Sequence, residues 1–410
     1  MNVSAIKRKL KKNKIVKLCG AAVLPKPYPK YYEKCSVDKN VILYESFYGR
    51  GMTCGPYALF KEMLSDERFS KCRHVWVYNS ESEWKDTFER YEEYQNVIFI
   101  KIKSREYYRY LASAGYLINN STFPACFTRK TEQTYINTWH GIPLKLMGYE
   151  MPNGNIQVAN TERNFLQASF LLSPNKHHTD MYTKSYKLDG IFEGKILESG
   201  QARTDTFFNT EKEDVIRKLL DDGVNVNSNK KIIMYAPTWK GADFNEPQAD
   251  IREYENIYNK ICKSIDTSKY QLLIKPHQAV YDKVKQGAGE LRECMVSPRL
   301  DTNEVLCAVD VLISDYSSIF FDFLVTGRPI MFYIPDLEQY KKTRGMYMDI
   351  DKLPGPATDS LQELCGWLEN PEESVKAAAG SYSELKEKFC GYDDGNVSRR
   401  IVNAIWHGDY

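Results

Sequence analysis

Asp310-Val311-Leu312-Ile313-Ser314-Asp315-Tyr316-Ser317-Ser318 joins an apolar run to a polar turn and a helical pattern. Val311–Ile313 is a short apolar run with β-branched residues, which predicts a strand buried on both faces. Small polar residues follow, and an apolar helical pattern opens at 317 and runs to 325. A strand, a short polar loop and an immediate helix make up the repeating unit of a helix-covered parallel sheet.

The same junction recurs on both sides of it. Upstream, strands are predicted at Val41–Tyr44, Val75–Tyr78, Val97–Ile100, Tyr116–Ile118, Tyr135–Thr138, Phe170–Leu172, Ile196–Glu198, Ile232–Tyr235 and Gln271–Ile274. Downstream, Ile330–Phe332 is another, and three helical patterns, near 359–369, 371–388 and 396–406, close the chain. Helical patterns such as Tyr57–Leu64, Arg105–Ala112, 211–221 and 251–264 lie between strands. At 410 residues the chain is too long for one ordinary domain. The expected organisation is a basic segment over 1–34, a first α/β unit over 35–190 and a second over 191–410.

Neither unit has a G-x-G-x-x-G or a G-x-x-x-x-G-K-[ST] after its first strand, which excludes nicotinamide dehydrogenases and P-loop nucleotidases. The ten cysteines are scattered, with no C-x-x-C pair and no zinc spacing, as in a reduced cytosolic protein. No signal peptide and no run of 18 apolar residues is present, so no membrane span is expected. Residues 1–30 hold nine Lys and Arg and no acid; 47 basic residues then face all 54 acidic ones, a net of −7 for the rest. A basic arm on an acidic body suits an anionic membrane surface. Val3, Ile6 and Leu10 share a helical face, but Ile15 and Leu18 fall off it. A nucleic-acid role would rest on this arm alone, with no reading motif behind it, and is not expected.

In open α/β sheets ligands sit at the carboxyl ends of strands, so residues just after predicted strands are the candidates. His140 and Gly141 follow the strand ending at Thr138, and a histidine there can take a proton from an attacking hydroxyl. A histidine at a turn can equally do no more than satisfy backbone groups. Lys145, four residues on from Gly141, can hold a phosphate as a point charge. Thr238 and Lys240 follow Tyr235-Ala236-Pro237 and suit a phosphate, although a proline at that place is also what an ordinary strand exit shows. His277 follows Ile274-Lys275-Pro276. Ser317 and Ser318 open a helix whose free N–H groups and dipole attract anions; the same residues also make an ordinary helix cap. Arg344, beside Gly345, could approach a diphosphate. No acidic pair or histidine spacing implies a metal.

These segments occur together in one order, and the chain resembles the CDP-glycerol glycerophosphotransferase family, the teichoic-acid primases and polymerases of bacterial walls and some capsules. The matching pieces are Tyr44-Glu45-Ser46-Phe47, Thr138-Trp139-His140-Gly141, Leu171-Leu172-Ser173-Pro174-Asn175, Gly200 with Arg203-Thr204-Asp205, Tyr235-Ala236-Pro237-Thr238-Trp239, Lys275-Pro276-His277, Ser314-Asp315-Tyr316-Ser317-Ser318, Arg344-Gly345 and Asp393-Asp394-Gly395. The resemblance spans roughly 40–406. It implies a GT-B-like architecture, two Rossmann-like domains whose parallel sheets face a central cleft, with the donor held mainly by the second. It further implies His140 as catalytic base, His277 as the phosphate-stabilising partner, and Ser317, Ser318 and Arg344 at the donor diphosphate. Arg203 and Asp315, inside matched segments, are further candidates. Gln201-Ala202 departs from the family pattern, which has an aromatic residue or proline after the glycine.

The implied reaction moves glycerol phosphate from CDP-glycerol to a hydroxyl of a lipid-linked or polymeric acceptor and releases CMP. It needs no resident cofactor or metal, and it is placed at the inner face of the cell membrane, where the basic arm fits. A CDP-ribitol donor, a GT-B glycosyltransferase using a nucleotide-sugar, and a non-enzymatic binding scaffold remain open alternatives. CMP release marks a CDP-polyol donor, a nucleoside diphosphate marks the glycosyltransferase, and binding indifferent to changes at His140 and His277 marks the scaffold.

Overall fold

A computed structural model describes residues 28–152, 158–239, 250–287 and 289–408. Most of the basic arm (residues 1–27) and the candidate Lys240 lie outside the described residues.

Among the described residues, twelve strands form two sheets: β1 Asp38–Glu45, β2 Arg73–Tyr78, β3 Val97–Lys101, β4 Ala114–Asn119, β5 Thr134–Asn137, β6 Phe170–Ser173 and β7 Lys195–Glu198 in one, and β8 Lys231–Tyr235, β9 Tyr270–Ile274, β10 Val311–Ser314, β11 Ile330–Tyr333 and β12 Ala357–Thr358 in the other. Every paired strand is parallel. The runs are apolar because helices cover both faces: Ile42, Leu43 and Tyr44 are wholly buried, as are Leu312 and Ile313. β12, two residues on a sheet edge, has no apolar run to announce it.

Strand order locates the site. The first sheet runs β3-β2-β1-β4-β5-β6-β7 and the second β12-β11-β10-β8-β9. Order reverses between β1 and β4 in the first and between β8 and β10 in the second. Such switch points open a crevice at the carboxyl ends of their strands.

The expected boundary at 190/191 falls one strand early, because β7 belongs to the first sheet. The closing helix Val397–His407 also returns to that unit. Its Val397, Ile401 and Val402 are completely buried in the core that holds Ile42, Phe60 and Trp76. Each such side chain stabilises the docking by about 1.5–3 kcal/mol. In the opposite direction, Ile142 and Leu144 leave the first unit and are buried in the core of the second. The backbone there pairs with the second unit, Tyr347 N–H donating to the Leu144 carbonyl at 2.8 Å. The chain thus crosses between units more often than a single linker would require. No helix among the described residues is long and apolar enough to cross a membrane.

Candidate functional site

Both switch points face one cleft of about 280 Å³, with Phe47, Arg50 and His140 on the first unit's wall and Lys275, His277, Ser317 and Ser318 on the second's. The loops around it are strained. Six described non-glycine residues have positive φ, and Phe47, Tyr48, Cys54 and Trp139 are four of them; such backbone is held only where neighbours over-determine it.

Trp139, at φ 49°, is held by Asn137, whose Oδ1 accepts its N–H at 2.9 Å. The turn delivers His140 so that Nδ1 lies 2.7 Å from the Asn120 carbonyl. A carbonyl oxygen only accepts, so Nδ1 carries the proton and the neutral ring keeps its lone pair on Nε2. Burial lowers the pKa of His140 to about 4; the Asn120 bond opposes this, and the Arg203 and Lys145 charges add to it. At neutral pH His140 is therefore an unprotonated base.

His277 is held in the opposite tautomer. Its Nδ1 accepts the Ala279 N–H at 3.2 Å, which leaves the proton of the neutral ring on Nε2. Burial lowers its pKa to about 4, helped by Lys145, Lys275 and Arg50. Beside it, burial lowers Lys275 to about 8 against the pull of Asp301 and Asp222, so it stays largely cationic. One wall offers a lone pair and the other offers N–H donors and positive charge.

The Ser317–Ser318 loop is shaped by Asp315. Its Oδ1 accepts from Ser317 N–H at 3.1 Å, and its Oδ2 accepts from the N–H and hydroxyl of Thr238 at 2.8 and 2.9 Å. Burial raises Asp315 to about 6 in spite of these donors. Thr238 is thus engaged with Asp315 and lines a separate hollow with Tyr254 and Asp336 rather than the main cleft. Arg344 ends the helix Leu337–Arg344 and lies 5.3 Å from the Trp239 ring centroid, outside the cleft's lining. Lys145 is exposed, yet crowding and the Arg344 charge lower its pKa.

Arg203 bridges the units. Its Nη2 donates to Asp322 Oδ1 at 2.8 Å, with side-chain exposures of 11% and 6%, so both charges are buried and depend on each other. Its Nη1 lies 3.3 Å from Cys54 Sγ. Burial would strip its proton, but the Asp322 carboxylate outweighs that and raises its pKa. Gln201, the departure from the family pattern, shares the same acceptor at 3.0 Å. Its backbone N–H donates to Asp393 Oδ1 at 2.8 Å. The segments Gly200–Asp205 and Asp393–Gly395 therefore meet as a joint.

Sequence reasoning missed Asn120 and Asp301. Asn120 is fully buried; its side chain accepts from Phe47 N–H at 2.9 Å and donates to Ser46 Oγ at 3.2 Å, while its carbonyl holds His140. The Asn119-Asn120-Ser121 run directly after a predicted strand was the available signal. Asp301 caps the helix Thr302–Cys307, and its other oxygen accepts the Cys54 N–H at 3.0 Å across the cleft. Nothing local in the sequence marks that second bond.

A family model described as CDP-Glycerol:Poly(glycerophosphate) glycerophosphotransferase matches residues 30–407. The teichoic acid glycerol-phosphate transferase of Staphylococcus aureus is 29% identical over 384 residues, covering 90% of this chain and 93% of that protein. The teichoic acid poly(glycerol phosphate) polymerase of Bacillus subtilis is 27% identical over 415 residues, 98% of this chain; the chain spans about half, 54%, of that relative's length. Among solved structures, a histidine-to-asparagine variant of the wall teichoic acid polymerase TagF soaked with CDPG has a TM-score of 0.75 at 25% identity, over 98% of each chain.

Proposed function

From the premise that this chain belongs to the CDP-glycerol:poly(glycerophosphate) glycerophosphotransferase family, we propose that it transfers glycerol phosphate from CDP-glycerol to a hydroxyl of a lipid-linked or polymeric wall acceptor. The observation that carries this reading is the pair of opposed tautomers across one cleft, His140 with a free Nε2 lone pair and His277 with an Nε2–H.

In the proposed step His140 Nε2 takes the proton of the acceptor hydroxyl. The oxygen attacks the phosphorus that bears glycerol, the bond to the bridging oxygen breaks, and CMP leaves with that oxygen. Phosphoryl transfer asks the protein for positioning and charge neutralisation more than for covalent chemistry. The His277 N–H, the Lys275 ammonium and the Ser317 and Ser318 hydroxyls supply donors to the diphosphate. Removing one such preorganised donor typically costs roughly 10²–10³-fold in rate. The step asks for no resident cofactor, so turnover in the presence of EDTA is expected.

We assign the basic segment 1–30 to the anionic inner face of the membrane, where a lipid-linked acceptor would lie. Each Lys or Arg near such a surface contributes about 1 kcal/mol. Sedimentation with phosphatidylglycerol vesicles, with and without residues 1–27, tests this; equal binding refutes it.

The deciding experiment supplies the protein with CDP-glycerol and a lipid-linked acceptor and follows nucleotide and product by mass spectrometry. CMP with a product heavier by glycerol phosphate supports the proposal. Turnover with CDP-ribitol alone would move the donor assignment, and release of a nucleoside diphosphate from a nucleotide-sugar would overturn the chemistry.

A further inference from the structure

Behind the His140 turn lies a second, smaller cavity of about 20 Å³, bordered by Gly141, Cys54, Gly200, Arg203 and His178. It is separate from the cleft in which the diphosphate would sit, although Arg203 and Cys54 border both. His178 lies on the helix Lys176–Ser185 and is 1% exposed. Neither of its ring nitrogens has a hydrogen-bond partner among the described residues, and neither does Nε of Arg203. The Gly141 backbone gives the ring a weak hydrogen-bonding interaction that favours its protonated form, short of a full hydrogen bond. Buried polar groups are rarely left unpaired, because each one has given up its hydrogen bonds to water without replacing them. A hollow of about 10–15 Å³ or more, with polar partners, is large enough for one water.

We propose that this cavity binds one structural water, shared by Arg203 and His178, and that His178 thereby acts as a positioning residue for the turn that carries His140. The donor and acceptor roles are complementary. The Arg203 Nε–H donates to the water oxygen, and the water donates to the unprotonated nitrogen of His178. The ring is neutral, since burial first and the nearby His177, His140 and Arg203 after it push its pKa down to about 3. Arg203 is already fixed at Asp322 and Cys54, so the water ties His178 to the joint between the units. Gly141 is where this support reaches the active histidine: a side chain there would meet Arg203 Nη2 at 2.9 Å and Ser318 Oγ at 3.1 Å.

A high-resolution crystal structure of the full chain should show one ordered water within hydrogen-bond reach of Arg203 Nε and the His178 ring; a dry cavity overturns the proposal. His178→Leu should lower kcat for CMP release by roughly ten- to hundred-fold through a displaced turn, with the donor KM and the melting temperature little changed. His178→Gln, which keeps a polar group toward the water, should restore most of the rate. An unchanged kcat in His178→Leu, or a Gln variant as slow as Leu, refutes the positioning role. The effect on kcat rests on the transfer reading and the water does not, so a hydrated cavity in a protein without transferase activity would sink that reading alone.

Discussion

His140→Gln tests the division of labour between the two histidines. Glutamine retains an N–H that can reach the Asn120 carbonyl but has no basic lone pair. A positioned general base contributes roughly 10²–10⁴-fold, equivalent to about 3–5 kcal/mol of barrier, and the plateau of kcat/KM should fall by that factor. The pH dependence is the sharper readout. The pKa of His140 is lowered from 6.5 to about 4 by burial, so the base is lost only as pH falls through about 4. Wild-type kcat/KM, which reports the free enzyme, should show a limb near pH 4 from His140, distinct from any change near pH 6, where Asp315 protonates. His277 titrates in the same range, also near 4, but its protonated ring still donates from Nε2. Its titration therefore removes nothing the donor role needs. Of the two histidines only His140 gives a limb near pH 4: that limb should vanish in His140→Gln and persist, beneath a lowered plateau, in His277→Gln, while any change near pH 6 from Asp315 is common to both. The assay is quenched-flow CMP release from CDP-glycerol, with circular dichroism at each pH to confirm the fold. A limb near pH 4 that survives unchanged in His140→Gln, or one near 6.5 that vanishes with it, refutes the reasoning.

Asp322→Ala leaves the Arg203 guanidinium buried without its carboxylate and should cost about 3–5 kcal/mol; Arg203→Met with Asp322→Leu should recover much of that in urea unfolding, and a double variant no better than the single one argues against a buried pair. Glu45 is 1% exposed, and burial raises its pKa from 4.5 to about 7 although Tyr107 donates to it at 2.8 Å. A raised carboxyl stabilises the fold below its unfolded pKa and loses that contribution as pH rises through about 7, so Glu45→Gln should gain about 2 kcal/mol more at pH 8 than at pH 5, and equal gains would contradict the shift. Asn120→Ala strands the Phe47 N–H and should cost about 1–3 kcal/mol in thermal melts, with a fall in kcat beyond any change in KM; a variant as stable and as fast as wild type would remove Asn120 from the site.

Eleven of the twelve described strands were legible because helices cover both faces of each sheet, so a buried strand reads as a short apolar run, as Phe170-Leu171-Leu172 does without any β-branched residue. Junction residues were legible for a related reason: His140, His277, Ser317 and Ser318 each follow such a run, and parallel topology gathers strand ends on one side. What could not be read was set by backbone partners remote in sequence. The tautomer of His140 depends on a carbonyl 20 residues away. Thr238 looked like a phosphate contact, and only the structure brings Asp315, 77 residues on, against its hydroxyl. The domain boundary was misplaced because β7 carries the same β signal whichever sheet it joins.

These remote contacts explain why such a site needs two sheets. A histidine at a strand exit has two nitrogens and no intrinsic preference strong enough to specify a role, and each unit supplies that preference from its own backbone. One uses the carbonyl of Asn120 and the other the N–H of Ala279, so the chemical difference between the two rings is built separately in each unit. Their placement relative to one another is left to the crossings: Arg203 on Asp322, the Cys54 N–H on Asp301, and the segment 142–147 lodged against the second unit. If the reaction were run by one histidine alone, a single sheet with a mobile partner would do. In the proposed reaction two rings of opposite polarity face one diphosphate and require a fixed separation, and the buried ion pair is the contact least able to slip, since moving it exposes a charge to an apolar interior. Under the proposed reaction, the structural demand on Arg203 follows from the roles assigned to His140 and His277, even though its guanidinium is committed to Asp322.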